Sequence, residues 1–201
     1  MTGTVLLFGA SGSIGSAVSL ALDAAGCSVI GVSRSTDPSV DVTSDASVRR
    51  LFASLGPIDA VVSCVGSTPF KTLDEITVED CEAAWVGKAL AQIRLVRLGL
   101  DYVRPGASFT LTSGVLSEIP VRAGSLAAMA NGAIEAFVRS SAAELGNGIR
   151  VNAVSPGVLL ESPGYHAFFP GLIPVPASKV AQAYRRSVDG IETGKVFRVF
   201  E

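Results

Sequence analysis

Seven consecutive residues, Gly9-Ala10-Ser11-Gly12-Ser13-Ile14-Gly15, carry the clearest chemistry in the chain. Glycines in this arrangement allow a tight turn, a close approach of backbone to a pyrophosphate, and close packing of a helix on a strand. The free N–H groups at the start of that helix can then receive phosphate oxygens. Further on, Ser33-Arg34-Ser35 stands where a site for the unphosphorylated dinucleotide wants an acid to hold the ribose 2′-hydroxyl. A guanidinium flanked by hydroxyls suits a 2′-phosphate instead. These residues predict a site for NADP(H), with Asp37 the nearest acid to Arg34. Metal chemistry has little to work with, because the chain has a single histidine, His166, and its three cysteines, Cys27, Cys64 and Cys81, form no CxxC pair.

A glycine turn works in this way only between a strand and a helix. Thr4 to Phe8 is a short apolar run that ends at Gly9, as a buried parallel strand does. From Ser13 the spacing changes: Ile14, Val18, Ala21, Leu22 and Ala25 recur at helical intervals, and Gly26 follows as a stop. The same alternation continues along the chain. Strands are predicted at Ser28 to Ser33, around Val40 to Val42, and at Ile58 to Ser63, Ala107 to Thr112, Ile149 to Val154 and Lys195 to Phe200. Helices are predicted at about Ser44 to Ser54, Glu75 to Val103, Leu126 to Leu145 and Ala177 to Val188. Alternating helices and buried strands imply an α/β fold: a doubly wound parallel sheet of about seven strands with helices on both faces. Residues 1–201 read as one domain, and the Pro/Gly-rich stretch Pro156 to Pro176 is long enough for a connection to be a functional loop.

Composition narrows the classes. With 48% apolar and 17% charged residues and a net charge of −2, the chain is too apolar for a disordered segment and lacks the basic excess of a phosphate-contacting nucleic-acid binder. Met1 to Leu22 contains no charged side chain, yet glycines and serines interrupt it and the first basic residue is Arg34, so neither a signal peptide nor a membrane span is expected. A cytoplasmic protein is expected, with a small-molecule substrate and no nucleic-acid or membrane partner. So few charges to cover the surface point to a homodimer or homotetramer.

Beyond the glycine turn, Asp41-Val42-Thr43 resembles the adenine-binding Asp motif of the short-chain dehydrogenase/reductase family. Ser63-Cys64-Val65-Gly66 stands in place of that family's Asn-x-Ala-Gly turn. Asn152 to Gly157 resembles the stretch ending in Pro-Gly beside the nicotinamide, and Thr193-Gly194 also fits. The resemblance covers nearly the whole chain. It implies a Rossmann-like fold and adds Asp41, Val42, Cys64, Val65, Gly66, Pro156, Gly157 and Val158 to the residues expected at the cofactor.

The active site departs from the family's pattern. Members usually carry a Ser, a Tyr and a Lys four residues after the Tyr, assisted by an Asn from the preceding long helix. Hydride arriving at carbon needs a proton at oxygen, and an adjacent ammonium lowers the tyrosine pKa toward working pH. Here Ala127 stands at the Tyr position and Asn131 at the Lys position, while Ser113 remains at the serine's place. Lys88, after Trp85, falls where the family has its Asn, so an amide and an ammonium have changed places. An ordinary surface lysine gives the same pattern.

This combination resembles a short subgroup that lacks Tyr-x-x-x-Lys. It implies an NADP(H)-dependent oxidoreductase acting on a small carbonyl or alcohol, with Ser113 and Lys88 as the candidate catalytic residues. The alternative is a regulatory or non-redox protein that binds NADP(H) without dehydrogenase activity, isomerase-like or lyase-like chemistry included. His166 and Tyr165 in the Pro/Gly-rich loop are further proton-donor candidates. Phe168 and Phe169 are expected to line a pocket or anchor that loop. Trp85, Leu90, Ile93 and Val96 are expected at a subunit interface or in the core.

Overall fold

The computed structural model describes residues 3–200. Six parallel strands, β1 (Thr4–Phe8), β2 (Ser28–Val32), β3 (Ile58–Ser63), β4 (Val103–Thr112), β5 (Arg150–Pro156) and β6 (Val196–Val199), lie in the order β2-β1-β3-β4-β5-β6. Alternate side chains leave each strand on opposite faces, and this decides which helix each strand residue meets. On β1, Leu6 and Phe8 pack toward α2 (Asp45–Ser54), α4 (Ala91–Gly99) and α5 (Ser125–Ser141). Val5 and Leu7 pack toward α1 (Ser13–Ala24) and α7 (Ala177–Asp189). Both faces are covered, which is why the strands read as continuous apolar runs.

Three elements differ from the sequence expectation. The sheet has six strands rather than about seven: Val40 to Val42 makes no strand, and only an isolated bridge joins Ser33 to Ser39 nearby. Val40 nevertheless reaches the core, and Arg94 donates to the Val42 carbonyl at 2.8 Å while pairing with Asp45, so a side chain holds this segment where a ladder would otherwise run. The long helix ends at Gly99, and β4 begins at Val103. It consists of α3 (Val78–Ala84), a wider π-type turn over Trp85–Leu90, and α4. The Pro/Gly-rich stretch contains the short helix α6 (Pro163–His166) and is fastened by a bridge between Leu159 and Val175.

β1 lies between β2 and β3; the crossover that leaves its C-terminal end runs to β2, whereas the one that leaves β3 runs the other way to β4, so the strand order reverses between β1 and β3. In open α/β sheets ligands bind at such a switch point. Here it brings the glycine turn, the end of β2 and the turn after β3 to one place.

Candidate functional site

Gly9 and Gly15 shape the turn by close approach. A Cβ on Gly15 would stand 2.1 Å from the Gly9 carbonyl oxygen, so α1 packs on the turn only with glycine there. Gly12 caps α1 with no side-chain hydrogen bond, which leaves the helix's first amides to a ligand. A cavity of about 630 Å³ opens beside them. Gly9, Ser11, Gly12, Ser33, Arg34, Ser35, Asp41, Val42, Cys64, Val65 and Gly66 border it, with Ser67 and Gly87, which sequence reasoning did not single out. Ser13 and Gly15 do not border it: Ser13 is exposed on the helix, and Gly15 is the buried packing residue. The Asp41 carboxyl accepts from the Thr43 amide at 2.9 Å and its hydroxyl at 2.7 Å, contacts that hold it below its ordinary pKa. Uncapped amides at one end and a guanidinium at the other fit a phosphorylated dinucleotide.

The turn after β3 belongs also to a second cavity of about 310 Å³, which shares Cys64, Val65, Gly66 and Ser67 with the first. Ile14, Pro156, Gly157 and Val158 line it, together with Phe70, Val115, Leu116, Phe169 and Tyr165. Lys88 is the only charged side chain among its described lining residues. The wider turn over Trp85–Leu90 carries Lys88, and wider turns of this kind inside helices recur at functional sites. The Lys88 stem runs against Gly66, where a Cβ would come within 2.7 Å of Lys88 Cγ. Its Nζ donates to the Ser113 carbonyl at 3.2 Å, and burial pulls its pKa down to about 8. Lys88 is half-buried, and desolvation disfavours its charged form.

Ser113 is brought to the same cavity, but its hydroxyl is otherwise engaged. Ser113 Oγ donates to Glu135 Oε1 at 2.5 Å, and Ser117 Oγ donates to the same oxygen at 2.6 Å. Lys88 therefore meets the Ser113 backbone rather than its hydroxyl. In this arrangement the Ser113 hydroxyl proton is directed to Glu135. Glu135 was not singled out from the sequence, although it lies one helical turn after Asn131, on the same face. Asn131 Nδ2 donates to the Gly114 carbonyl at 3.0 Å, so Lys88 and Asn131 grip neighbouring carbonyls of the segment that follows β4. Gln92, also unanticipated, exchanges two hydrogen bonds with the Thr112 backbone and fixes the strand's last residue.

The remaining candidates separate. His166 Nε2 bonds the Leu159 carbonyl at 2.8 Å and is absent from the cavity lining, whereas Tyr165 borders the cavity. Phe169 is buried, and Phe168 stacks edge-on against Phe70. Burial pushes the Cys64 thiol up to about 12, which removes it as a nucleophile near neutral pH. Trp85 is 41% exposed, but Val96 is in the core rather than at an outer surface. No group of metal-ligating side chains occurs among the described residues.

The sequence family described as enoyl-(acyl carrier protein) reductase matches residues 9–164. The chain belongs to the short-chain dehydrogenase/reductase family. Among relatives, hydroxynaphthalene reductase arp2 of Aspergillus fumigatus is 34% identical over 54% of this chain and 40% of its own length. A hydroxynaphthalene reductase-like protein of Metarhizium guizhouense is 35% identical over 62% of this chain and 49% of its own. The chain thus spans no more than about half the length of these two proteins. Among solved structures, the protein lin1944 from Listeria innocua is 44% identical, covers 98% of this chain and 99% of its own, and superposes with a TM-score of 0.95. A small-chain dehydrogenase solved in complex with NADPH is 27% identical over 100% of this chain and 97% of its own, with a TM-score of 0.89.

Proposed function

We propose that the protein is an NADP(H)-dependent oxidoreductase that acts on a small carbonyl or alcohol, with Lys88 as the proton-transfer group. The observation that carries this reading is a pair of cavities that share the turn after β3, one bordered by the glycine turn and Arg34 and the other lined by apolar and polar side chains with Lys88 as the only charge among its described lining residues. The small-chain dehydrogenase that binds NADPH supports the choice of cofactor, as does Arg34 at the border of the larger cavity.

Bound in the larger cavity, the dinucleotide would supply the hydride. The chain's part is to orient it and to manage the proton. The glycine turn and the uncapped start of α1 receive the phosphates, and Arg34 with Ser33 and Ser35 receives the 2′-phosphate. Phe70, Val115, Leu116 and Phe169 give the smaller cavity an apolar surface for the carbon skeleton of a substrate. Lys88 Nζ has three donors, one of which meets the Ser113 carbonyl. Its ammonium can give a proton to an oxygen that becomes basic beside it, and a pKa near 8 matches that work to neutral pH.

One observation favours a second reading, in which the dinucleotide is bound without turnover: the family's tyrosine is Ala127, and the serine's proton is directed to Glu135. Fluorescence titration with NADPH and NADH, followed by a screen of carbonyl compounds for NADPH consumption, tests both. Tighter binding of NADPH with consumption is expected. Binding without consumption of any carbonyl supports the second reading, and failure to bind either cofactor overturns both. No disulfide joins the three cysteines among the described residues, in keeping with a cytoplasmic setting, and exposed Trp85 and Val86 support a homo-oligomer that sedimentation would detect.

A further inference from the structure

Asn131 is 2% exposed and borders the smaller cavity. Its Nδ2 donates to the Gly114 carbonyl, which fixes the end of the amide that carries the oxygen. That oxygen, Oδ1, is buried without a hydrogen-bond partner among the described residues. A buried acceptor left unsatisfied costs about 1–3 kcal/mol, so a donor is expected to meet it. The nearby side-chain donors are directed elsewhere. Ser113 and Ser117 donate to Glu135, and Lys88 donates to the Ser113 carbonyl. No hydrogen bond reaches Oδ1 from these groups, and a hydroxyl brought into the cavity that Asn131 borders would supply the missing donor.

We propose that Asn131 Oδ1 is the acceptor for a substrate hydroxyl, so that the cavity selects a neutral carbonyl compound bearing a hydroxyl beside its carbonyl. This rests on the reading of the site given above. Lys88 offers donors to the carbonyl oxygen, and Asn131 offers an acceptor to the neighbouring hydroxyl. A cationic ligand would face the Lys88 ammonium with no carboxylate lining the cavity to offset it. An anionic group would place its charge against an acceptor and leave Oδ1 unpaired. The rest of the compound would be buried by Phe70, Leu116 and Phe169. A ribose of the dinucleotide could supply the same hydroxyl chemistry. The smaller cavity is also bordered by Ile14, Pro156 and Gly157, which are expected at the cofactor, so NADPH affinity in Asn131→Leu separates a ribose hydroxyl from a substrate hydroxyl.

The test compares the melting-temperature shift given by 2-hydroxyacetophenone with that given by acetophenone, using the full chain with and without NADPH. It is run on the wild type, Asn131→Leu, which lacks the acceptor, and Asn131→Asp, which keeps one. NADPH affinity is titrated for each. In the wild type the hydroxyketone should bind about tenfold more tightly than the ketone, a preference lost in Asn131→Leu and kept in Asn131→Asp, with NADPH affinity within about twofold throughout. No preference in the wild type overturns the proposal, as does a preference that survives Asn131→Leu. Loss of NADPH affinity in Asn131→Leu without a ketone preference overturns it too, by moving the hydroxyl to the dinucleotide. If the wild type does not bind NADPH, the proposed function fails, while the preference measured without NADPH still decides the role of Asn131.

Discussion

The two halves of the cleft offer different means of recognition. In the half built from the ends of β1 and β2, the backbone does most of the work: a glycine turn, an uncapped helix start, and short hydroxylated side chains around one arginine. In the half built from the ends of β4 and β5, side chains line the cavity, and the proposed reading exchanges an ammonium and an amide between two helices. Lys88 and Asn131, which on that reading have changed places, both hold the segment after β4. Backbone recognition tolerates little substitution, because a Cβ at Gly15 would meet a carbonyl oxygen. Side-chain chemistry can move between helices while the scaffold stays as it is.

The largest effect expected is on the chemical half alone. Lys88→Met should lower steady-state NADPH consumption by about a hundredfold to ten-thousandfold while leaving NADPH affinity within about twofold. Equal losses of turnover and affinity would show that the halves are not separable. The same variant should melt at a higher temperature than the wild type at pH 7. Folding lowers the Lys88 pKa from 10.5 to about 8, so the unfolded chain binds more protons between those values. The burden of burying this amine is present in full below pH 8 and lifts as pH rises through that window. Melting curves at pH 7 and pH 10 should show the advantage of Lys88→Met shrinking.

On the backbone side, Gly15→Ala should destabilise the fold by about 3 kcal/mol in urea unfolding, since the added methyl meets backbone that cannot move aside. A shift within error would mean that α1 is free to slide on the turn. Arg34→Ala should weaken NADPH about tenfold and leave NADH unchanged in fluorescence titrations, because only the 2′-phosphate distinguishes them. The smallest effect should come from Ser113→Ala. The hydroxyl's proton is directed to Glu135, so about 1 kcal/mol of stability should be lost, with turnover falling far less than in Lys88→Met. A loss of turnover equal to that of Lys88→Met would return Ser113 to the substrate oxygen.

The backbone half was legible in the sequence because its demands are local. A strand, a glycine string and a helix lie in one short stretch, and Arg34 follows directly on β2. The chemical half was legible only in part. The exchange of Lys88 with Asn131 is visible by position, but the contacts that decide their roles cross long stretches of chain. The Ser113 to Glu135 contact joins a strand end to the middle of α5, and the Lys88 contact depends on a wider turn that apolar spacing does not announce. The supposed strand at Val40 to Val42 misled for the same reason: Arg94, far along the chain, holds it in place of a ladder.

The central claim is that dinucleotide binding and proton transfer reside in separate halves, with Lys88 carrying the second. The most direct measurement is the pH profile of NADPH consumption with a turned-over carbonyl substrate, recorded beside the NADPH dissociation constant at each pH. The account predicts a rate that is flat below about pH 8 and falls about tenfold per unit above it, with little change in affinity across that range, and no such break in the residual rate of Lys88→Met. A profile without a break near pH 8, or the same break retained in Lys88→Met, would contradict it.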